Sequence, residues 1–331
     1  MFGDKCNKPI NGKVRSNNMS RKIKNVCIYG IGGVGGYFGG IISYKLMKAK
    51  QGMQVFYVGR GKHLEAVQKY GLYLITDNEE FRGVPNIAKN NVRHMPIPDL
   101  YILCVKGYDL DSAVISISKN MNKDTIILPL LNGVDIYERI RMNLKHGIVL
   151  PACVYISSSI EKPGTVRQRG PAGRIVFGKD LKYPGINYNN IMAFFTQMGI
   201  NHTWFDNPYL AIWSKYVFIS AFSLMTAYTG KTIGEVIAEE KLGKMTEAIM
   251  QEVVLVGKAK LVDFDEDIVE KTIKIARDFP YETKTSFQRD YEKKGAKNEG
   301  DIFGGTLIRL AEQYNISIPV TTKVYEALLE R

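Results

Sequence analysis

The chain has 331 residues, 45% of them hydrophobic and 24% charged, which excludes a disordered, collagenous or coiled-coil protein and a mini-protein stapled by disulfides. Four scattered cysteines, Cys6, Cys27, Cys104 and Cys153, lack C-x-x-C spacing, so a reducing, cytoplasmic compartment is expected and a zinc cluster is not. The net charge of +12 would suit nucleic acid, but residues 1–24 hold seven lysines and arginines against Asp4, so half the excess belongs to a basic tail, residues 1–23, expected to be disordered.

In chain order, short apolar runs at 25–29, 54–58, 72–76, 101–105, 125–130 and 148–156 alternate with helical patterns at 34–48, 63–70, 110–119 and 134–144. Strands alternating with helices predict a parallel sheet covered on both faces. The Gly- and Pro-rich stretch 161–178 predicts a hairpin or extra strands added to that sheet, followed by a helix at 186–198 and a strand at 202–205. Beyond Asp206 the pattern becomes long helices, at 208–229, 232–262, 265–277, 302–314 and 321–329. Asp206 before Pro208 is a helix-start signature. The expected fold class is α/β: an N-terminal Rossmann-type doubly wound parallel sheet over 24–206, then an all-α C-terminal domain over 207–331. The uncharged stretches 25–44, with seven glycines, and 216–230, with 15 residues, are not expected to span a membrane. No basic stripe interleaved with aromatics points to nucleic acid.

The first strand runs into Gly30, Ile31, Gly32, Gly33, Val34 and Gly35, a G-x-G-x-x-G turn opening a helix. Glycine there permits the tight turn, the approach of backbone to a pyrophosphate and close packing of helix on strand. The plain counterpart is a glycine-rich turn or helix-packing seam. The second strand ends in Gly59 and Arg60 with no nearby acid to grip a ribose hydroxyl, which favours NADPH, its 2′-phosphate paired with Arg60, over NADH. A solvated surface arginine is the alternative.

Lys106 and Asn132 follow the fourth and fifth strands of the main sheet, at the carboxyl ends where ligands of such sheets lie. They could equally be a snorkelling lysine and a helix-capping asparagine. Lys215 interrupts an otherwise apolar helix; burial would lower its pKa toward neutrality and make it a general acid, unless a carboxylate pairs with it as an ordinary salt bridge. His63, His94, His146 and His202 show no ligand spacing and are assigned to surface or local structure, and no metal is implied.

Eight segments then acquire a common meaning. The Gly30/Gly32/Gly35 loop, Arg60 with GKHLEAV, VKGYD, LLNGVD, EKPGTVR, IWSKY, EGDIFGG and IPVTTKVYEALL come in the order and approximate spacing of the ketopantoate reductase (2-dehydropantoate 2-reductase) family, and the resemblance runs from about Lys24 to the C-terminus. It implies an oxidoreductase that reduces a 2-oxo acid to a 2-hydroxy acid with NADPH, foremost 2-dehydropantoate to pantoate in pantothenate biosynthesis. Lys215 resembles the family's proton donor, Glu299 the acid that orients it and bonds a substrate hydroxyl, and Ser286 the serine holding the substrate carboxylate. Lys106 and Asn132 resemble residues at the nicotinamide and substrate carbonyl. Ile219 and Ser223 stand on the substrate-lining face where the family usually has asparagines, so substrate identity is open.

Two other readings stay in view, a paralogous reductase of another keto acid or imine and a non-catalytic NADPH-sensing protein. The expected partner is a small 2-oxo acid, with neither nucleic acid nor membrane, and a homodimer is one option for the assembly.

Overall fold

A computed structural model of the chain describes residues 22–49, 52–293, 295 and 297–330. The basic tail lies outside them up to residue 21; Ile23, which the sequence counts with the tail, is buried in a hydrophobic core. Two compact units form, one from the chain through Leu131 and Ile136–Ala211, the other from Asn132–Asp135 and Ile212 onward.

The first unit opens with β1 (Asn25–Tyr29), α1 (Gly33–Ala49), β2 (Gln54–Val58), α2 (Gly61–Tyr70), β3 (Leu72–Ile75), β4 (Glu80–Gly83) and β5 (Ile87–Lys89). It continues through β6 (Leu100–Leu103), α3 (Leu110–Ile117), β7 (Ile126–Pro129), α4 (Ile136–Asn143), β8 (Ile148–Val149) and β9 (Ala152–Tyr155). A hairpin of β10 (Ser158–Lys162) and β11 (Thr165–Gln168), then β12 (Arg174–Gly178), α5 (Asn189–Met198) and β13 (Asn201–Phe205), complete it.

Six strands pair in parallel in the order β5-β2-β1-β6-β7-β8. Side chains alternate across this sheet with the period of two that a strand imposes. Val26, Ile28, Leu100 and Ile102 share one core with Phe38 and Ile42 of α1 and Phe195 of α5. Cys27, Phe56, Tyr101 and Leu103 share another with Leu110 and Val114 of α3 and Ile140 of α4. Burial on both faces is why these strands read as continuous apolar runs.

Three expectations are corrected. The run at 72–76 and the hairpin do not join the main sheet; they form a second sheet, β10-β11-β3-β4, while β13-β12-β9 makes a third. The single strand expected over 148–156 is divided between two sheets around Pro151, which has no N–H to give a ladder. The glycines of α1 serve two opposed contacts. A Cβ on Gly39 would press to 3.0 Å from the Tyr57 ring, whereas one on Gly36 would come within 2.5 Å of Val166 in the second sheet. The helix is thus held between β-layers, which accounts for its G-x-x-x-G pattern.

Further along the chain lie α6 (Tyr209–Thr229), α7 (Ile233–Ala238), α8 (Glu240–Ala259), α9 (Ile268–Arg277), α10 (Ser286–Tyr291), a π-helical turn at Asp301–Gly305, α11 (Thr306–Gln313) and α12 (Pro319–Leu329). The helix expected over 232–262 is two, because Glu239 is extended. The first of them, α7, starts with a capping box of Thr232 and Glu235. Helix α6 is long and apolar enough to cross a membrane, but 72% of its most apolar window is buried inside the protein, as in a core helix.

Two polar groups fasten the first unit. Asp180, fully buried, accepts from the Val149 N–H at 2.8 Å, the Tyr137 hydroxyl at 2.7 Å and the Arg141 guanidinium, tying α4 and β8 to the segment after β12. His63 in α2 is buried, and its Nδ1 accepts from the Gly164 N–H at 3.0 Å in the hairpin turn. Burial depresses the His63 pKa, opposed by the backbone of Ile31 in the glycine loop.

Asp180→Ala strands the Arg141 charge and should lower the unfolding free energy by about 3–5 kcal/mol. Urea titration checks this; a loss too small to resolve would deny Asp180 its role. His63 is favoured neutral in the fold, so its contribution is complete above about pH 6.5 and is lost as pH falls through its lower folded pKa. The melting temperature should therefore drop between pH 7 and pH 5 by more in the wild type than in His63→Asn, which keeps an acceptor and does not titrate; parallel curves would refute the assignment.

Candidate active site

The turn from β1 into α1 shows why each glycine is there. Gly30 has φ +92°, and a Cβ on it would lie 2.6 Å from the Cys104 carbonyl oxygen. On Gly35 a Cβ would overlap the Gly30 carbonyl, and on Gly33 that of Ser158 in β10. Gly32 differs, with nothing among the described residues within 4 Å of the Cβ position. Its backbone faces open space at the N-terminus of a 17-residue helix with no acid in its first turn. An exposed backbone face there, with helix N–H groups and a favourable dipole, fits a pyrophosphate. Ile31 is buried beside Gly59, and Val34 is partly buried against the core; both fix the turn rather than line its open side.

Arg60, two residues beyond β2, is the N-cap of α2, with its side chain 77% exposed. Its guanidinium donates to Asp109 Oδ2 at 2.6 Å. Lys106 is half-buried just past β6, and its carbonyl accepts from the Asp109 N–H at 2.9 Å. Gly30, Arg60 and Lys106 therefore follow the carboxyl ends of the neighbouring strands β1, β2 and β6, the ligand-binding edge of such a sheet.

In the second unit Lys215 is 9% exposed on α6, and its ammonium donates to Asn132 Oδ1 at 2.8 Å. A buried ammonium needs such an acceptor. Asn132, read from sequence as part of the first domain, belongs with Asn132–Asp135 to the second unit. Ile219 and Ser223 follow Lys215 at intervals of four on α6, half-buried and buried respectively. Ser286 is exposed in the first turn of α10, whose N-cap Thr285 accepts from the Gln288 N–H and shares a 2.9 Å hydroxyl contact with Thr226 of α6. Helix α10, six residues long, is too short to show a periodicity in the sequence.

Glu299, 6% exposed, is buried rather than solvated. It stands two residues before the π-helical turn, and its carbonyl accepts from the Ile302 N–H at 3.0 Å. Tyr216 and Ser220, one turn apart on α6, hold that turn by donating to the Ile302 and Phe303 carbonyls at 2.6 and 2.8 Å. Burial raises the Tyr216 pKa, keeping its phenol a neutral donor. Arg309 adds a fork to Asp301 at 2.7 and 3.0 Å. Sequence reasoning passed over Tyr216, Ser220 and Asp109; the signal for the first two was a pair of hydroxyls spaced by four in an apolar helix.

Known proteins resemble the chain in both sequence and fold. The family profile "Ketopantoate reductase PanE/ApbA" matches residues 26–181, and its C-terminal counterpart matches 207–331. The chain is 26% identical over 304 residues to "Uncharacterized oxidoreductase YkpB" of Bacillus subtilis, covering 91% of this chain and 96% of that protein. It is also 26% identical over 308 residues to 2-dehydropantoate 2-reductase of Pyrococcus horikoshii, covering 89% and 93%. The crystal structure of 2-dehydropantoate 2-reductase from Porphyromonas gingivalis W83 superposes with TM-score 0.80 at 26% identity, over 93% of this chain and 100% of that one. D-mandelate dehydrogenase, in its ternary structure with NADH and anilino(oxo)acetate, shares the fold with TM-score 0.79 at 19% identity, over 92% and 97% of the two chains. With both halves matched, the chain belongs to the ketopantoate reductase family, oxidoreductases that bind a nicotinamide dinucleotide.

Proposed function

We propose that the protein is an NADPH-dependent reductase of a 2-oxo acid, with 2-dehydropantoate as the first substrate and pantoate as its product, acting in the cytoplasm. The observation that carries this reading is the buried ammonium of Lys215, held by Asn132 in an apolar helix. The dinucleotide would be held by the 30–35 turn, with Arg60 at its 2′-phosphate and Lys106 nearer its nicotinamide end. When bound it supplies hydride to the keto carbon. Lys215 gives a proton to the carbonyl oxygen, and its positive charge stabilises the alkoxide as it forms. The neutral amine then regains a proton from solvent. Asn132 fixes the direction of that ammonium, Glu299 orients it and bonds a substrate hydroxyl, and Ser286 binds the substrate carboxylate.

A second reading of the substrate is favoured by Ile219. On a helix rising about 1.5 Å per residue, Ile219 and Ser223 lie roughly 6 and 12 Å along the axis from Lys215. A substrate extending from Lys215 along that face meets an apolar side chain first, which suits a 2-oxo acid with an alkyl or aryl group better than one needing a hydroxyl acceptor there.

Nicotinamide absorbance with a panel of 2-oxo acids tests both readings: oxidation of NADPH is expected with at least one, and a protein that binds NADPH but turns over none would be a sensor instead. Lys215→Ala should lower turnover by at least about 10²-fold, and unchanged turnover would remove Lys215 from the mechanism. Gly32→Ala should leave the melting temperature unchanged, since its Cβ position is open, while abolishing measurable NADPH binding; retained binding would dissociate the turn from the dinucleotide.

A further inference from the structure

We propose that Asp109 sets the dinucleotide preference by holding Arg60 in competition with the 2′-phosphate, an inference that rests on the reading above. The sheet order β2-β1-β6 sets the two residues on either side of β1. With strands about 4.8 Å apart, the gap between the flanking strands is about 10 Å. The Arg60–Asp109 contact of 2.6 Å therefore bridges the end of β1, where the glycine turn begins.

The two partners are unequal. Asp109 is held by its backbone: its N–H donates to the Lys106 carbonyl at 2.9 Å, and its own carbonyl accepts from the Ser112 hydroxyl at 2.9 Å. It ends a 3-10 turn, Gly107–Asp109, that runs straight into α3, and its side chain makes no bond to the helix N–H groups. Its carboxylate is turned to Arg60. Side-chain exposures of 77% for Arg60 and 25% for Asp109 describe a solvent-facing arm on a fixed acid. Such an exposed pair is weak, and a phosphate dianion offers guanidinium a stronger, two-pronged partner. Binding of a 2′-phosphorylated dinucleotide exchanges one anion for the other, and Asp109 lowers the net gain. A dinucleotide with a free 2′-hydroxyl has no such competition to win.

Fluorescence titration with NADPH and with NADH, on the wild type, Asp109→Asn, Arg60→Ala and the double variant, tests the idea. Asp109→Asn should tighten NADPH by about two- to fivefold, the scale of an exposed pair, without tightening NADH, and the gain should vanish in the Arg60→Ala background. Asp109→Ser, which also removes the carboxylate, should reproduce the gain should the asparagine variant fold poorly. Unchanged or weaker NADPH binding in both single Asp109 variants, equal tightening of NADH, or a gain that survives loss of Arg60 would overturn the proposal while leaving the dinucleotide reading intact. A wild type that binds neither dinucleotide would overturn both.

Discussion

The candidate chemistry depends on a cost that α6 creates for itself. Twenty-one residues of mostly apolar side chains carry one ammonium, and a charge that far from water is held only where an oxygen meets it. Asn132 Oδ1 meets it at 2.8 Å. Asn132 follows β7 in the chain, so the segment that leaves the parallel sheet has to contribute four residues, Asn132–Asp135, to the helical unit before returning through α4. Gly133, with φ +121°, permits that detour, because a side chain would be strained there. Asp135 adds an acceptor at 3.4 Å from the Thr306 hydroxyl in α11.

A second constraint governs the turn after β1. Gly30, Gly33 and Gly35 are dictated by the protein's own backbone, since a methyl group at each would strike a carbonyl of Cys104, Ser158 or Gly30. Gly32 is dictated by none of the described residues. In the proposed function, a residue with no internal reason to be small, at the mouth of a helix, is small for the dinucleotide. The surrounding elements stiffen the turn: Ile31 fills the space beside Gly59, and the β10–β11 hairpin reaches the loop through Ser158 and reaches α2 through Gly164 and His63.

Much of the first unit was legible in the sequence because its strands are buried on both faces and give unbroken apolar runs; β1 and β2 coincide with the expected ranges. Sheet membership was not legible, since Leu72 or Val166 has the same composition whether it pairs with β2 or with its actual neighbours. Glycine spacing revealed the turn, and the strand-end positions of Arg60, Lys106 and Asn132 revealed polar candidates. What the spacing could not supply was the pairing. Arg60 meets Asp109 across 49 positions and Lys215 meets Asn132 across 83, and nothing local encodes either contact. The π-helical turn was hidden for a related reason: its carbonyls are satisfied by Tyr216 and Ser220, over 80 positions away.

The polar groups of α6 divide into those the fold already uses and those left to a substrate. Tyr216 and Ser220 donate to the Asp301–Gly305 turn and so hold the residues after Glu299. Thr226 bonds the Phe222 carbonyl at 2.7 Å and the Thr285 hydroxyl that caps the helix of Ser286. These contacts fix the backbone on which Lys215, Glu299 and Ser286 stand, but they also withdraw their hydroxyls from ligand binding. On the Lys215 face Ile219 brings no polar atom and Ser223 brings a short one. In the proposed reaction, recognition of the acid and the keto group can therefore be rigid while recognition of the remaining side chain is chiefly a matter of shape. One methylene in an apolar pocket discriminates far less than a paired hydroxyl does, so this arrangement suits a reductase broader in its 2-oxo acids than one with asparagines on that face.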